Sequence, residues 1–187
     1  MTRWIVLALC SLLAFTALAK KPTKFLSKPQ TAQTAQTAQT VKWYTIEEAM
    51  ALAAKKPRPI MIDMYTDWCG WCKRLDADTF SNKGIAKYLN ENFYSVKFNA
   101  EQKGNVNFLG KVYKNSGRAH DLAMELSGGE LSYPMLVYLK ADGTVISPVP
   151  GYVDPKGLEP ILHYIAEELY EKKVDFGEYS KKFKSQL

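Results

Sequence analysis

The segment Asp63–Leu75, DMYTDWCGWCKRL, holds two cysteines separated by two residues, each directly after a tryptophan, with Lys-Arg next. Such a C-x-x-C pair has three chemical readings: a redox couple, part of a metal site, or a structural staple. A structural zinc site takes four ligands, commonly two such pairs or one pair with two closely spaced histidines. The chain has only two histidines, His120 and His163, far apart in sequence, so no metal is expected. A staple that closes so short a loop removes little entropy from the unfolded chain. The redox reading needs the pair at a helix start behind a buried strand, and the flanking sequence supplies that setting. PIMIDMY (59–65) is an almost unbroken apolar run of strand length, the pattern of a strand buried on both faces. Helical sequence begins at the cysteines. The unpaired N–H groups of a first helical turn favour a thiolate, so Cys69 is the expected nucleophile. Cys72, one turn in and more buried, is the expected resolving thiol. Trp68 and Trp71, with Gly70 between the cysteines, would set Cys69 at the edge of an apolar platform suited to docking another protein's disulfide. Ordinary packing around a helix start is compatible with the same pattern.

The chain has 187 residues, 47% hydrophobic and 24% charged, with a formal net charge of +6. That suits one globular domain with a core. The positive charge is dispersed, and the densest lysine cluster, SKKFKSQL at the C-terminus, reads as solvated surface. Without basic residues interleaved with aromatics on one face, nucleic acid is not an expected partner. The opening MTRWIVLALCSLLAFTALAKK carries Arg3, an apolar run from Trp4 to Leu18, and ALA ending at Ala19. This is the layout of a signal peptide over residues 1–19, and it implies a periplasmic or otherwise exported protein. The alternative is an uncleaved anchor, although the run is short of the about 20 apolar residues of a membrane span. Membrane contact is therefore expected only if that segment is retained. If Cys10 leaves with the leader, Cys69 and Cys72 are the only cysteines that remain, in a compartment outside the cytosol. Residues 20–40, ending in TAQTAQTAQT, are polar and repetitive and read as a flexible linker, either tether or neutral spacer. Residues 41–187 form the expected folded domain.

Within that domain YTIEEAMALAAKK reads as a helix, with Thr45 and Glu48 as a capping box and Ile46, Met50 and Ala53 on one face. Pro57 and Pro59 end it. The strand 59–65 and the helix at the cysteines follow, and NKGIAKYLNENF continues helically. YSVKFNA is the next strand. NVNFLGKVYKNSG reads as a hairpin or extended excursion turning at Gly110. RAHDLAMEL is helical, and YPMLVYLKADGTVISPVPG is a hairpin around Asp142-Gly143. PKGLEPILHYIAEELYEKK reads as one long amphipathic helix with Leu158, Ile161, Leu162, Ile165 and Leu169 inward. The order β-α-β-α-β-α-β-β-α predicts an α/β domain, a central mixed sheet flanked by helices.

DMYTDWCGWCK resembles the thioredoxin pattern D-x-x-x-x-W-C-G-x-C-K, and SYPML resembles that family's strand opened by a cis-proline. The likeness spans about residues 41–173 and implies a thioredoxin-like fold; the segment 104–118 departs from it, as an insertion after the third strand. It also implies roles. Asp63, six residues before Cys69, would take the proton from Cys72; a buried acid with a raised pKa is a usable base near neutrality. The alternative for Asp63 is an acid turned to solvent. Lys97 would lie near that acid, or else be a surface lysine. Pro134 would be the cis-proline beside the cysteines, Tyr133 would offer its backbone to an extended substrate segment, and Gly151 would let substrate approach. Where thioredoxin has proline between the cysteines this chain has Trp71, so a redox potential does not carry over.

The expected function is that of an exported thiol–disulfide oxidoreductase, a protein disulfide reductase working through a mixed disulfide. Its partners would be protein thiols and disulfides, with a membrane-linked electron donor or thiol pool to recycle it. No cofactor is expected beyond the redox-active Cys69–Cys72 disulfide. The alternatives are a binding or chaperone module with a structural disulfide, and an oxidase or isomerase of disulfides.

Overall fold

The computed structural model describes residues 40–187. The expected leader and the linker through residue 39 lie outside the described residues. A five-stranded sheet runs in the order β1-β3-β2-β6-β7, formed by Trp43–Tyr44, Tyr94–Asn99, Ile60–Tyr65, Met135–Leu139 and Val145–Pro150. β1, β3 and β2 are mutually parallel, β6 runs antiparallel to β2, and β7 runs antiparallel to β6 and so in the direction of β2. The mixed sheet of a thioredoxin-like fold is thus present, and β2 lies at its centre.

β2 explains the layering. Because side chains alternate along a strand, Ile60, Ile62 and Met64 enter one core, with Ile46, Ala49 and Ala53 of α1 (Ile46–Lys55) and Leu122, Ala123 and Leu126 of α4 (Asp121–Leu126). Met61 enters the other core, with Leu75 of α2 (Gly70–Leu75), Ile85 and Leu89 of α3 (Lys83–Asn92), and Leu158 and Leu162 of α5 (Pro155–Ala166). Asp63 shares the parity of Met61 and therefore points toward the layer that carries the cysteines.

The local signals act as their chemistry dictates. Thr45 and Glu48 form the reciprocal capping box, at 3.2 and 2.9 Å. The inserted segment is a hairpin of β4 (Val106–Phe108) and β5 (Lys111–Tyr113). Leu109 and Gly110 both take positive φ, the requirement of a two-residue primed turn. Val106, Phe108 and Tyr113 bury against the α1 side of the sheet. The Asp142-Gly143 turn sits close to that hairpin. At φ +90°, a Cβ on Gly143 would lie 3.0 Å from the Leu109 side chain, so both backbone and space call for glycine.

Three boundaries depart from the expected pattern. The helix at the cysteines does not run on into NKGIAKYLNENF: it widens into a π-helical turn over Asp76–Phe80 and stops, and Asn82 caps α3 by accepting from Gly84 and Ile85. Residues 118–120 are not helical, because the His120 N–H bonds the Ala100 carbonyl and its ring caps α4 through the Leu122 N–H. The long C-terminal helix ends at Ala166 instead of Lys173, and Glu168 and Lys173 turn through positive φ. Those turns bring back α6 (Phe176–Lys182), capped by Asp175, so that Phe176 and Tyr179 pack on Tyr164. The lysine-rich tail is mostly exposed, as expected, and its first residues, Ser180–Lys182, belong to this helix.

Candidate active site

β2 delivers the chain from its buried apolar run straight into the cysteines. Cys69 occupies the N-cap of α2 and is joined to Cys72 by a disulfide with Cα atoms 5.3 Å apart. The Cys72 N–H points at the Cys69 Sγ at 3.0 Å. A first-turn amide aimed at that sulfur is the donor that would stabilise a thiolate there. Both cysteines are buried, at 4% and 2% exposure, so the expected contrast between them is slight in the disulfide form. Trp68 and Trp71 stand out from the surface at 67% and 56% exposure, as a docking platform requires.

The strand that leads to the pair carries a buried acid. Asp63 is fully buried on the α2 side of β2, opposite Lys97 in the parallel β2–β3 register. The Lys97 Nζ donates to Asp63 Oδ2 at 2.5 Å and also to Asp76 Oδ1. Burial raises the Asp63 carboxyl from 3.8 to about 6, against the pull of Lys97, and the Asp76 charge adds to the rise. Burial works against the Lys97 charge, but the two carboxylates outweigh it and its pKa is raised. Lys97 is further enclosed by the rings of Trp43, Tyr65 and Phe80, 5.0 to 5.5 Å from its ammonium. Neither Asp63 nor Lys97 is therefore a free surface group.

Asp76 is absent from the sequence-derived set. It follows Cys72 by four residues, one helical turn on the same face, and that spacing was the available signal. Asp76 shares the Lys97 ammonium with Asp63, which ties the buried carboxyl to the end of the helix that carries Cys72. The second oxygen of Asp63 has no hydrogen-bond partner in the structure.

The other landmarks converge on the same end of the sheet. The Tyr133–Pro134 peptide is cis, and the Pro134 carbonyl accepts from the Gly151 N–H at 2.8 Å. The β6 ladder begins at Met135, so the Tyr133 peptide lies beyond the last rung. Gly151 holds φ +93°, and a Cβ there would meet nothing within 4 Å. Tyr133 packs edge-on against Trp68, ring centroids 5.9 Å apart. The Trp68 indole N–H donates to the Glu101 carboxylate at 3.1 Å. The inserted segment braces this corner: Asn115 Nδ2 donates to the carbonyls of Glu101 and Gln102. Glu101 and Asn115 lie in loops, where neither periodicity nor motif marks them.

The histidines stay apart. His120 Nε2 meets the Gly104 carbonyl and its ring packs on Phe98, while His163 stacks on Tyr88. Among the described residues no three His, Cys, Asp or Glu side chains gather as a metal set.

The chain is similar to several known proteins. The family model Thioredox_DsbH, described as a protein of unknown function, DUF255, matches residues 23–187. Spermatogenesis-associated protein 20 of Homo sapiens is 30% identical over 154 residues, 79% of this chain and 18% of that protein. The thiol:disulfide interchange protein DsbD of Cronobacter sakazakii is 30% identical over 115 residues, 60% of this chain and 17% of that protein. The chain thus spans less than a fifth of the length of these relatives. Among solved structures, a DsbH oxidoreductase superposes with a TM-score of 0.52 at 15% identity, over 83% of this chain and 96% of that one. A thioredoxin from Thermus thermophilus superposes with a TM-score of 0.51 at 20% identity, over 67% of this chain and 87% of that one. These likenesses show the thioredoxin fold.

Proposed function

The chain belongs to the Thioredox_DsbH family, and with it to the thioredoxin superfamily, and we propose that it is an exported thiol–disulfide oxidoreductase acting as a protein disulfide reductase. The observation that carries this reading is the Cys69–Cys72 disulfide at a helix start, behind a strand whose buried carboxyl has its pKa raised to about 6. The relatives named as thiol:disulfide interchange proteins support the same reaction class.

The cycle uses the chain's own groups. In the dithiol form the Cys69 thiolate attacks one sulfur of a substrate disulfide, forming a mixed disulfide and releasing one substrate thiolate. The Cys72 thiol gives its proton to the Asp63 carboxylate. The Cys72 thiolate then attacks the Cys69 sulfur, frees the second substrate thiolate and closes the disulfide seen here. Two electrons have passed to the substrate, and a dithiol donor, membrane-linked or from a thiol pool, returns them by the reverse exchange. An acid near pKa 6 is ionised at neutral pH, so it can accept the proton, yet it is basic enough to do so usefully. Trp68, Gly70, Trp71, Tyr133, Pro134 and Gly151 make the docking face. The apolar leader supports export.

The test is the equilibrium of the Cys69–Cys72 couple with glutathione. A reductase requires a potential well below that of strong oxidants such as DsbA, about −120 mV; a value near that figure overturns the reducing direction.

A further inference from the structure

Two aromatic pairs flank the disulfide, and each is anchored by one carboxylate. Trp68 and Tyr133 are held through Glu101 on one side. On the other, Trp71 packs against Tyr152 with ring centroids 5.5 Å apart. The Tyr152 hydroxyl donates to Asp78 Oδ2 at 3.1 Å, and the Arg74 Nε donates to the same oxygen at 3.0 Å. The Arg74 guanidinium lies over the Trp71 indole, 5.8 Å from its centre. Trp71, Tyr152, Asp78 and Arg74 thus close a ring, and Trp71 is its one member between the cysteines. A hollow of about 220 Å³ lined by Gly70, Trp71 and Arg74 opens beside it. Over Gly70 the space is free, with nothing within 4 Å of a Cβ position.

An indole exposed at 56% has rotamers to choose from, and ordering it on docking costs affinity. The ring removes that cost in advance by holding the indole from both sides. The hollow is apolar in character: an indole face, bare glycine backbone and the Arg74 stem. Asp78 neutralises the Arg74 charge, so the hollow does not select for an anionic side chain.

We propose that Asp78 is a specificity-determining positioning residue: through Tyr152 and Arg74 it fixes Trp71 as one wall of the docking face. That face thereby prefers disulfides on protein segments with a bulky apolar side chain beside the bridge over small hydrophilic disulfides. The proposal rests on the exchange reaction above and names its substrate class.

The test uses the full chain with Asp78→Ala and Asp78→Glu, insulin as the protein disulfide and oxidised glutathione as the small one. Asp78→Ala lowers the ratio of kcat/KM for insulin to that for oxidised glutathione about fivefold, the scale of one aromatic or cation–π contact. Its insulin KM rises by more than its kcat falls, and Asp78→Glu recovers part of the ratio. With 5-fluorotryptophan, the fluorine resonance of Trp71, assigned by Trp71→Phe, shifts in Asp78→Ala while that of Trp43 stays. An active wild type whose variant keeps the ratio within twofold, or whose Trp71 resonance does not move, overturns the proposal alone. A wild type that reduces neither disulfide overturns the exchange reading and this proposal with it.

Discussion

Lys97 lies opposite Asp63 in the β2–β3 register and donates to it at 2.5 Å, while the same ammonium binds Asp76. One cation is thus divided between a buried acid and a half-exposed one. Burial raises the Asp63 carboxyl from 3.8 to about 6 in spite of the Lys97 pairing, and the Asp76 charge adds a smaller push in the same direction. An acid fully paired with a buried lysine would be too weak a base for the resolving thiol.

Replacing Asp63 should stabilise the oxidised protein above neutrality. Between pH 3.8 and about 6 the folded form holds more protons at Asp63 than the unfolded chain does, so stability falls as pH rises through that window. The full cost, about 3 kcal/mol, applies above it. Asp63→Asn should therefore be more stable than the parent at pH 8 by about 3 kcal/mol, a figure that already contains the Lys97 attraction, and nearly equal at pH 4. Urea unfolding at the two pH values measures this, and a variant no more stable at pH 8 contradicts it. The same variant should slow resolution of the mixed disulfide.

Removing Asp76 acts on Asp63 in one direction by two routes. Its negative charge disappears, and the whole Lys97 ammonium becomes available to Asp63. In Asp76→Asn the Asp63 titration midpoint, followed by carboxyl carbon NMR, should fall by roughly half to one unit. A midpoint that stays or rises would show that Lys97 is not shared.

The inserted hairpin reaches the docking face through Asn115. Asn115→Ala leaves the Glu101 and Gln102 carbonyls without that donor and should cost about 1 kcal/mol. Amide exchange at residues 100–103 should accelerate and the insulin KM should rise. Unchanged exchange there would detach the insertion from the site.

The C-terminal helix depends on its cap. Asp175→Ala removes the acceptor of the Glu178 N–H at 2.8 Å and should cost about 1 kcal/mol. Amides 176–182 should exchange faster while those of β2 hold.

Much of this was legible in the chain itself. A six-residue apolar run with one acid at its fourth place marked β2 and Asp63, and two cysteines at a helix start marked the chemistry. Capping residues and the Asp-Gly turn follow from local hydrogen bonding, which neighbours in sequence carry. What escaped depends on contacts across the fold. Asp76 matters because β3 brings Lys97 beneath α2, and Tyr152 and Asp78 meet 74 residues apart. The end of α5 at Ala166 follows from α6 packing back on Tyr164, which helical periodicity alone does not encode. The Asp175-to-Glu178 spacing was a readable start signal for α6, masked by the lysines after it.

The central claim is that Cys69 attacks and Cys72 resolves. The direct measurement is trapping: the reduced full chain carrying Cys72→Ser is mixed with insulin, and its covalent adducts are mapped by mass spectrometry. A stable mixed disulfide is expected on Cys69, reversed by added dithiol and absent from Cys69→Ser. No adduct on Cys69, or a Cys69→Ser chain that reduces insulin as fast as the wild type, would contradict it.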